Sequence, residues 1–500
     1  MVNVIDRRCA STFYLTVVCS LLLVMASGEL LRSDAQARSS DVTTTYDAEG
    51  GNITMAFTGD SVVIRSLAAF QEERFLRLRD LLLRQDVRFT NAETVFHNYE
   101  NWPTVMGQGM WMRTDPAVIK DLQWMGINMV SCANNHAYDF GQEGVLTNIK
   151  NLNQAGMVHA GTGSNYAEAI APAYLETAKG RVAIVAATSS GEIEIRAGEQ
   201  RRDMKGSPGV NFLRWINEWT VDQAAFAQLK RIAQKFDWDQ TVSTRLERDY
   251  GISKEAAANT VWLSDRNLYD RAFSSKNMQM FYDPPAGFVL GATFERHTRL
   301  HQEDLDWNLK SVSEARRSAD WVIYSIHNHE GGTTDEEPSD HVKALAHSVI
   351  DAGADAVVGQ GSHFTRGIEI YKGKPIFYSL GNFLSENEVL SLLPEQMFHF
   401  YGLGNENSTA DLYGGSRAST ATRATLESFV AVTVVNNKKL HEIKLYPIDL
   451  GFGLPRFESG RPVLAQGQTA RQILERIQRL SAPFGTKVEI KGDIGVIQVE

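Results

Sequence analysis

Hydrophobic residues in this chain gather in short continuous runs, and polar residues follow directly where each run ends. Residues 52–57 predict a buried strand that leads to Asp60, and residues 87–90 predict a second strand that leads to Glu93. Between them, apolar residues recur at helical spacing over residues 67–82 among Arg and Glu, which predicts an amphipathic helix. This opening stretch is therefore a strand, helix, strand unit with polar residues at its strand ends.

The same alternation continues through most of the chain. Further helices are predicted over residues 116–125, 142–155, 303–319, 338–352 and 469–481. The first of these begins at Pro116 and ends before Gly126, residues that commonly open and close a helix. Polar clusters follow the intervening strands at Asn134-Asn135-His136, His327-Asn328-His329 and Gln360-Gly361-Ser362-His363. Alternating strands and helices of this kind predict an α/β domain with parallel strands.

Residues 190–300 break this pattern. They are rich in charge, contain four of the nine Trp residues and show no strong strand, so we expect a helical insertion mounted on the α/β body. Such an insertion would serve either as a substrate-recognition arm or as an added structural layer. We expect the main domain to span residues 52–460, with a C-terminal helix and strand pair within residues 461–500 packed on it.

Length and charge narrow the choice of function. At 500 residues the chain exceeds one typical core, so its length predicts either one large domain with an insertion or two domains. The formal net charge of -10 argues against a nucleic-acid partner. The net charge does not exclude an anionic substrate, because a metal ion or local Arg residues can make the electrostatic potential positive inside one cleft.

The first residues resemble an export signal. Arg7 and Arg8 precede an apolar run over residues 14–25, and small residues follow it. We expect residues 1–37 to direct export to the periplasm or the extracellular space, with cleavage after Ala26 or Ala37. The alternative is an uncleaved segment that anchors the protein to a membrane, since the apolar run approaches the length of a membrane span.

Residues suited to metal binding stand at the ends of successive predicted strands: Asp60, Glu93, Asn135, His136, His327, His329 and His363. Each alone has an ordinary structural explanation, but together they favour a site for one or two divalent metal ions, with manganese, zinc or iron fitting the mixed ligands. His327 and His329 are two residues apart, so in a strand both project to one side. A metal would activate water as a nucleophile, and His136 could protonate a leaving group.

Several motifs resemble the poly-gamma-glutamate capsule-synthesis protein family, CapA. The similarity covers about residues 52–188 and 303–450. Its motifs are Gly59-Asp60 with Arg65, Asn91-Ala92-Glu93, Ala133-Asn134-Asn135-His136 with Asp139 and Gly141, Gly161-Thr162-Gly163-Ser164-Asn165, Gly361-Ser362-His363, and the run from Gly367 to Phe383. The resemblance implies a four-layer α/β/β/α fold of the metallophosphatase-like type.

The resemblance also implies residue roles. The metal ligands would be Asp60, Glu93, Asn135, His327 and His363. His136 would be the proton donor, Asp139 would orient it, and Arg65 would contact an anionic substrate group. Such sites usually end in Gly-His-x-His, whereas here Thr365 stands two places after His363. Either His329 or His363 fills the second imidazole position, or the site holds one metal.

Two main functions follow from these residues and motifs. The first is an exported metal-dependent hydrolase that cleaves a phosphoester or a gamma-glutamyl amide in capsule-polymer metabolism. The second is a non-catalytic accessory subunit of a polymer synthesis and export complex. A nucleotidase is a third interpretation, and it would require an aromatic clamp from the Trp-rich insertion.

Overall fold

The structure is a computed structural model that describes residues 51–105, 110–235, 259–263, 286–414, 419 and 421–499. The predicted leader over residues 1–37 and Trp238 of the predicted insertion lie outside the described residues. No helix of the described part is both long enough and apolar enough to cross a membrane.

The first of two large sheets contains ten strands. Numbered in chain order over the whole chain, they are β1 (Ile53–Val62), β2 (Val87–Ala92), β5 (Met129–Ser131), β6 (Val158–Ala160), β19 (Asn382–Ser385), β20 (Glu427–Asn436), β21 (Lys439–Asp449), β22 (Val463–Leu464), β23 (Glu489–Lys491) and β24 (Ile494–Gln498). The order across the sheet is β23-β24-β21-β20-β1-β2-β5-β6, with β19 beside β1 and β22 beside β21. The strands β1, β2, β5 and β6 run parallel, so their carboxyl ends share one edge.

The second large sheet contains six strands in the order β17-β18-β16-β15-β9-β8. They are β8 (Ala173–Thr177), β9 (Gly180–Thr188), β15 (Trp321–Asn328), β16 (Ala356–Gly361), β17 (Ile368–Tyr371) and β18 (Lys374–Phe377). The central strands β9, β15, β16 and β18 are parallel. Both edge strands pair antiparallel, β8 with β9 and β17 with β18.

Ten helices of the described part accompany these sheets. They are α1 (Glu73–Leu83), α2 (Ile119–Met125), α3 (Gly141–Gln154), α4 (Tyr166–Ala169), α5 (Gln223–Lys235), α6 (Gln302–Ser318), α7 (Asp340–Asp351), α8 (Glu395–Phe400), α9 (Thr409–Gly414) and α10 (Gly467–Ser481). Short 3-10 turns occupy Pro116–Val118, Asn135–Tyr138, Ile193–Ile195, Asn387–Val389 and Ala482–Phe484. The five helices predicted after residue 115 agree with the structure to within about two residues once the 3-10 turn at Pro116 is included, whereas the first begins at Glu73, later than its apolar spacing indicated.

Three apolar clusters define the layers. Phe57 and Phe89 of the first sheet pack with Ile184, Ile323 and Val358 of the second, so the two sheets lie face to face. The outer face of the first sheet packs against α1, α2 and α3, and the outer face of the second packs against α6 and α7. The four-layer α/β/β/α architecture is therefore confirmed. Helix α10 closes the core beside β21, β24 and β17.

The prediction of a helical insertion is wrong in one respect. The insertion contains α5, but the prediction that it lacks strands fails, because β11 (Trp215–Val221), β12 (Thr260–Leu263), β13 (Ala286–Leu290) and β14 (Glu295–Leu300) form a sheet in the order β12-β13-β11-β14. Four of the six residues in β14 are charged or His, and only Thr298 and Leu300 are buried. The sequence of β14 therefore lacks the alternation of apolar and polar residues that identifies a strand. The insertion also begins later than residue 190, since Phe212 still belongs to the core between the sheets.

Two short pairs complete the strands: β3 (Val95–Phe96) with β4 (Arg113–Thr114), and β7 (Thr162–Gly163) with β10 (Gly209–Val210).

Candidate metal centre

The carboxyl ends of the parallel strands bring the predicted cluster together. Two groups have ligand atoms within 4.8 Å of one another: Glu93 with His327 and His329, and Asp60 with Glu93 and His363. Asp60 lies in β1, Glu93 directly follows β2, His327 lies in β15, and His363 follows β16. The two sheets therefore contribute to one centre, and Glu93 is common to both groups.

The carboxylate of Asp60 is fully buried and held in place by hydrogen bonds. Asn91 Nδ2 donates to Asp60 Oδ1 at 2.8 Å, and the Gly361 backbone N–H donates to Oδ2 at 2.9 Å. His327 Nδ1 lies 3.5 Å from Oδ1, and His363 Nδ1 lies 3.6 Å from Oδ2. Burial acts to raise the pKa of Asp60, but the two imidazoles outweigh it and lower the pKa, so the carboxylate stays ionised.

Glu93 is equally buried, yet neither carboxylate oxygen has a hydrogen-bond partner in the described part of the chain. Its Oε1 lies 3.7 Å from His327 Nε2, and its Oε2 lies 3.8 Å from His363 Nδ1. Burial is the main cause that raises the pKa of Glu93. A buried carboxylate without donors is rare in folded proteins, because it loses its hydration without compensation. These two oxygens fit a cation, which would supply the missing partner.

The three imidazoles form a compact group. The Nε2 atoms of His327 and His329 are 3.1 Å apart, and the ring centroids of His329 and His363 are 5.5 Å apart. Burial, reinforced by the other two imidazoles, lowers the pKa of His329 well below its usual value, so the ring is neutral, as a metal ligand must be. Although burial opposes it, Glu93 and Asp60 raise the pKa of His363 to about 10.

His363 adopts a left-handed backbone with φ of 62°, which is unusual for a residue with a side chain. Its Nδ1 lies 3.0 Å from Asn382 Oδ1, and Asn382 Nδ2 donates to the Thr425 carbonyl at 3.0 Å. Asn382 therefore links the imidazole to the first sheet and stabilises the strained turn. Strain of this kind is found where a protein holds a functional side chain in place.

His136 and Asp139 adjoin the cluster. His136 is buried in the turn after β5, directly behind Asn135, and its Nδ1 lies 2.8 Å from Asp139 Oδ2. The Met112 backbone N–H donates to the same Asp139 oxygen at 2.6 Å. Burial opposes protonation of His136, but Asp139 and then Glu93 raise its pKa. With Nδ1 directed to Asp139, Nε2 is the atom available for proton exchange.

A close backbone crossing fixes the base of the site. The Asp60 N–H donates to the Gly381 carbonyl at 3.0 Å, which joins β1 to the turn before β19. A Cβ atom added to Gly59 would lie 1.6 Å from the Gly381 oxygen, so no side chain fits there. The two glycines thereby place Asp60 and Asn382 side by side at paired positions of β1 and β19.

The structure gives Arg65 other partners than an anionic substrate. Its Nη2 donates to Glu386 Oε1 at 2.8 Å, its Nε donates to the same oxygen at 3.0 Å, and its backbone N–H donates to Oε2. The guanidinium also donates to the carbonyls of Phe457 and Ser459. The Arg65 side chain is thus engaged in joining distant segments, and substrate contact stays a prediction.

Sequence reasoning gave no role to Asn91 or Asn382. Asn91 Nδ2 contacts both Asp60 Oδ1 and, at 3.2 Å, His327 Nδ1, so it orients two candidate ligands at once. Both Asn residues stand inside motifs that carried the family resemblance, and both occupy positions at the site end of their strands. That position was the signal that could have identified them.

A third group of metal-type side chains has a structural explanation. It comprises His301, Glu303 and Asp304. The buried carboxylate of Asp304 accepts hydrogen bonds from Arg214 Nε at 2.8 Å and Nη2 at 2.6 Å, and Arg196 adds a longer contact of 3.4 Å. An acid that is already neutralised by two guanidinium groups offers little to a cation.

The insertion and the loop after β15 enclose a groove of about 890 Å³. Its walls include the aromatic residues Trp219, Phe288 and Phe294, and its charged side chains are Glu295, Arg296, His297, Asp335, Glu337, Asp340 and Lys343. Within the described residues, none of the predicted ligands lines it. Acidic side chains outnumber Arg and Lys there, so the groove does not favour an anionic polymer.

The architecture and the cluster define an α/β/β/α protein with a buried carboxylate and histidine centre at its strand ends. Residues 54–387 match the family described as bacterial capsule synthesis protein PGA_cap, and the chain belongs to this family. The predicted resemblance is therefore confirmed.

Individual relatives agree with this assignment. "Uncharacterized protein y4sH" of Sinorhizobium fredii is 33% identical over 461 residues, which cover 89% of this chain and 93% of the relative. "PGA biosynthesis protein CapA" of Bacillus subtilis is 45% identical over 73 residues, which cover 15% of this chain and 19% of the relative. "Capsule biosynthesis protein CapA" of Bacillus anthracis is 41% identical over 103 residues, or 19% and 24% of the two chains.

Solved structures give weaker likenesses. A hypothetical protein from Thermus thermophilus has a TM-score of 0.35 at 15% identity, and the match covers 79% of this chain and 99% of that one. A structure described as a novel phosphatase from Mycoplasma pneumoniae has a TM-score of 0.34 at 13% identity, covering 80% and 94%. Both scores are below 0.5, so the fold assignment depends on the layers and the cluster themselves.

Proposed function

We propose that this protein is an exported metal-dependent hydrolase that acts on a phosphoester or a gamma-glutamyl amide in the metabolism of a capsule-type polymer. The observation that carries the proposal is Glu93, whose two buried oxygens lack hydrogen-bond partners among the described residues and lie near the imidazoles of His327 and His363. Such a carboxylate is suited to hold one or two ions of manganese, zinc or iron with Asp60, His327, His329 and His363. Nitrogen and oxygen ligands in this mixture favour those metals over calcium or magnesium.

The chain's own residues have separable tasks in this reaction. A divalent cation, when bound, acidifies water and polarises the bond to be cleaved. Asn91 and the Gly361 N–H keep Asp60 in one orientation, and Asn382 does the same for His363. His136 is placed to deliver a proton from Nε2 to the leaving group, while Asp139 holds Nδ1 and so fixes the tautomer.

The family supports the polymer context of the proposal. The relative from Bacillus subtilis carries PGA biosynthesis in its name, and a gamma-glutamyl bond is an amide whose carbonyl a nucleophile can attack. Export, through the leader over residues 1–37, would place the enzyme where a capsule is assembled or trimmed. Retention of that segment as an anchor would hold the enzyme at the membrane, in reach of a polymer-synthesis complex.

The test is metal analysis of the purified full-length protein, without chelator, followed by assays on phosphoesters and gamma-glutamyl amides. We expect one or two equivalents of metal and turnover of one substrate class. His136→Gln should retain the metal but lose about 100- to 10,000-fold in kcat, the usual contribution of general acid catalysis. Bound metal with no turnover in any assay would instead favour the accessory-subunit function, and absence of metal binding would overturn the proposal.

A further inference from the structure

Arg366 is a charged side chain buried beside the cluster. It is 1% exposed, although it carries a guanidinium group, and it stands three residues after His363. Glu330 and Asp335 act on it electrostatically, but its hydrogen bonds go to carbonyl and amide oxygens rather than to their carboxylates. Burial is the main cause that lowers the pKa of Arg366 to about 10. Burying a guanidinium without a hydrogen-bonded carboxylate costs free energy, so such a residue requires an explanation.

The guanidinium joins the loops that carry the candidate ligands. Nη2 donates to the His329 carbonyl at 3.0 Å, and Nη1 donates to Asn328 Oδ1 at 3.2 Å. Nε donates to the Asp335 carbonyl at 3.0 Å, further along the same loop. One side chain from the loop after β16 therefore holds the last residue of β15 and two points of the loop that follows it. The planar guanidinium group can donate to all three acceptors at once, whereas a lysine ammonium group cannot.

Hydrogen bonds hold both backbone polar groups of His329. Its backbone N–H donates to Ser190 Oγ at 2.7 Å, and its carbonyl accepts from Arg366. Asn328, the residue before it, donates through Nδ2 to Ser189 Oγ at 2.8 Å. Between these contacts the imidazole reaches the cluster, where its Nε2 lies 3.1 Å from His327 Nε2. The backbone position of His329 is thus set by side chains rather than by strand pairing.

His329 provides the imidazole that the motif after β16 lacks. Thr365 stands where the Gly-His-x-His pattern would place its second histidine, and it is buried at 2% exposure. The cluster nevertheless contains three imidazoles, because His329 enters it from the end of β15 together with His327 and Glu93. The loop that lacks the histidine is the loop that carries Arg366.

We propose that Arg366 is a positioning residue that fixes His329 as a metal ligand. The inference depends on the proposed function only in requiring that the cluster binds metal. In this arrangement the loop after β16 also positions the ligand group of Glu93, His327 and His329. It does so through the hydrogen bond from Arg366 to the His329 carbonyl. Removal of the guanidinium frees the His329 carbonyl and weakens that group, while Asp60, Glu93 and His363 keep their own contacts.

The experiment compares Arg366→Gln with the matched control Arg316→Gln in the full-length protein. Arg316 is also buried, and its guanidinium donates to the carbonyls of Ala319 and Asp320 and to Asp355 at the opposite ends of β15 and β16. Metal equivalents, manganese and zinc affinity, and thermal unfolding without metal are measured for each variant. Arg366→Lys and His329→Gln, alone and combined with Arg366→Gln, complete the set.

We expect Arg366→Gln and Arg366→Lys to lower the affinity for one metal equivalent about 10- to 100-fold, the usual effect of losing a residue that orients a ligand. Arg316→Gln should lower the unfolding temperature yet keep full metal content. The combined Arg366→Gln, His329→Gln variant should bind metal no more weakly than His329→Gln alone. Full metal content and affinity in Arg366→Gln would overturn the inference, and so would failure of both Arg366 variants to fold, which would assign Arg366 to stability. Absence of metal in the unaltered protein would instead defeat the proposed function.

Discussion

The two ends of the central strands contain the same types of charged residue in opposite states. At the amino ends, the Asp355 carboxylate accepts from Arg316 Nη1 at 2.8 Å and from the Val322 N–H at 2.9 Å, and it also pairs with Lys374. At the carboxyl ends, Glu93 is more deeply buried and accepts no hydrogen bond from the described residues. Hydrogen-bond satisfaction therefore distinguishes Asp355 from Glu93, whereas the candidate ligand Asp60 accepts hydrogen bonds from Asn91 and Gly361.

The difference shows what each end contributes. At the amino ends the Asp355 carboxylate stabilises the native state, because Arg316, Lys374 and the Val322 N–H compensate its buried charge. The carboxyl ends keep a carboxylate that is unfavourable in the metal-free protein and becomes favourable when a cation supplies the missing charge. The site is therefore expected to lower stability until metal binds, a common relation between function and stability.

The largest expected effect comes from exchanging the two carboxylates for amides. Glu93→Gln should lower metal affinity by more than about 100-fold, because it removes a direct ligand and orienting residues alone contribute 10- to 100-fold. The metal-free variant should be as stable as the original protein or more stable, since the buried carboxylate that is lost accepts no hydrogen bond from the described residues. Metal analysis and urea unfolding measure the two effects.

Asp355→Asn is the matched change at the amino ends. It should leave metal content intact and lower the free energy of unfolding by about 2–4 kcal/mol, because Arg316 and Lys374 lose their charged partner. Equal loss of stability in both variants would remove the distinction between the two ends.

The second prediction concerns His341, which lies near the site but is fully satisfied. Its Nδ1 lies 3.0 Å from Thr298 Oγ1 and its Nε2 lies 3.2 Å from Ser189 Oγ, and its ring stacks on Trp215. Burial, with a smaller contribution from Arg296, lowers the pKa of His341 to about 3. Between the unfolded value of about 6.5 and that pKa, only the unfolded chain binds the proton, so stability is lost as the pH falls below 6.5.

This contribution amounts to about 2 kcal/mol at pH 5, at 1.4 kcal/mol for each pH unit. His341→Gln cannot titrate, so the stability difference between the original protein and the variant should shrink by that amount between pH 7 and pH 5. Denaturant unfolding at several pH values measures it. A difference that does not change with pH would contradict the assignment of a neutral His341.

The smallest predicted effect tests whether Arg65 belongs to the site or to the scaffold. Arg65→Gln should lower the free energy of unfolding by about 1–3 kcal/mol, since it breaks hydrogen bonds to a fully buried carboxylate. Glu386→Gln should have a similar effect, and neither should change KM for an anionic substrate more than about threefold, a factor equal to roughly 0.6 kcal/mol. A tenfold higher KM with unchanged stability would restore the substrate-binding prediction.

The cluster could be predicted because parallel strands place their ends at one edge, whatever their order in the sheet. Asp60 and His327 are far apart in sequence, yet each follows an apolar run, and that local signal was sufficient. The partner of Arg65 could not be found in this way. Glu386 is 321 residues away, and no local pattern relates a guanidinium to a carboxylate across that separation.

The insertion sheet escaped prediction for a different reason. Strand β11 pairs with β14 and β13 in a small local sheet, and only Trp215 at its start packs into the cluster beside the second large sheet. Glu218 and Arg299 pair across that sheet at 3.0 Å, which places opposite charges on strands where only apolar alternation was sought. Cross-strand charge pairs are visible only once the register is known.

The contact between Gly59 and Gly381 limits the substitutions that this sequence can accept during evolution. Imidazoles are long enough to reach one point from several origins, so another loop can supply a ligand, as inferred for His329. A backbone that passes 1.6 Å from where a Cβ would lie at Gly59 permits no such exchange. We therefore expect Gly59 and Gly381, which have no side chain, to tolerate substitution less well than the candidate metal ligands.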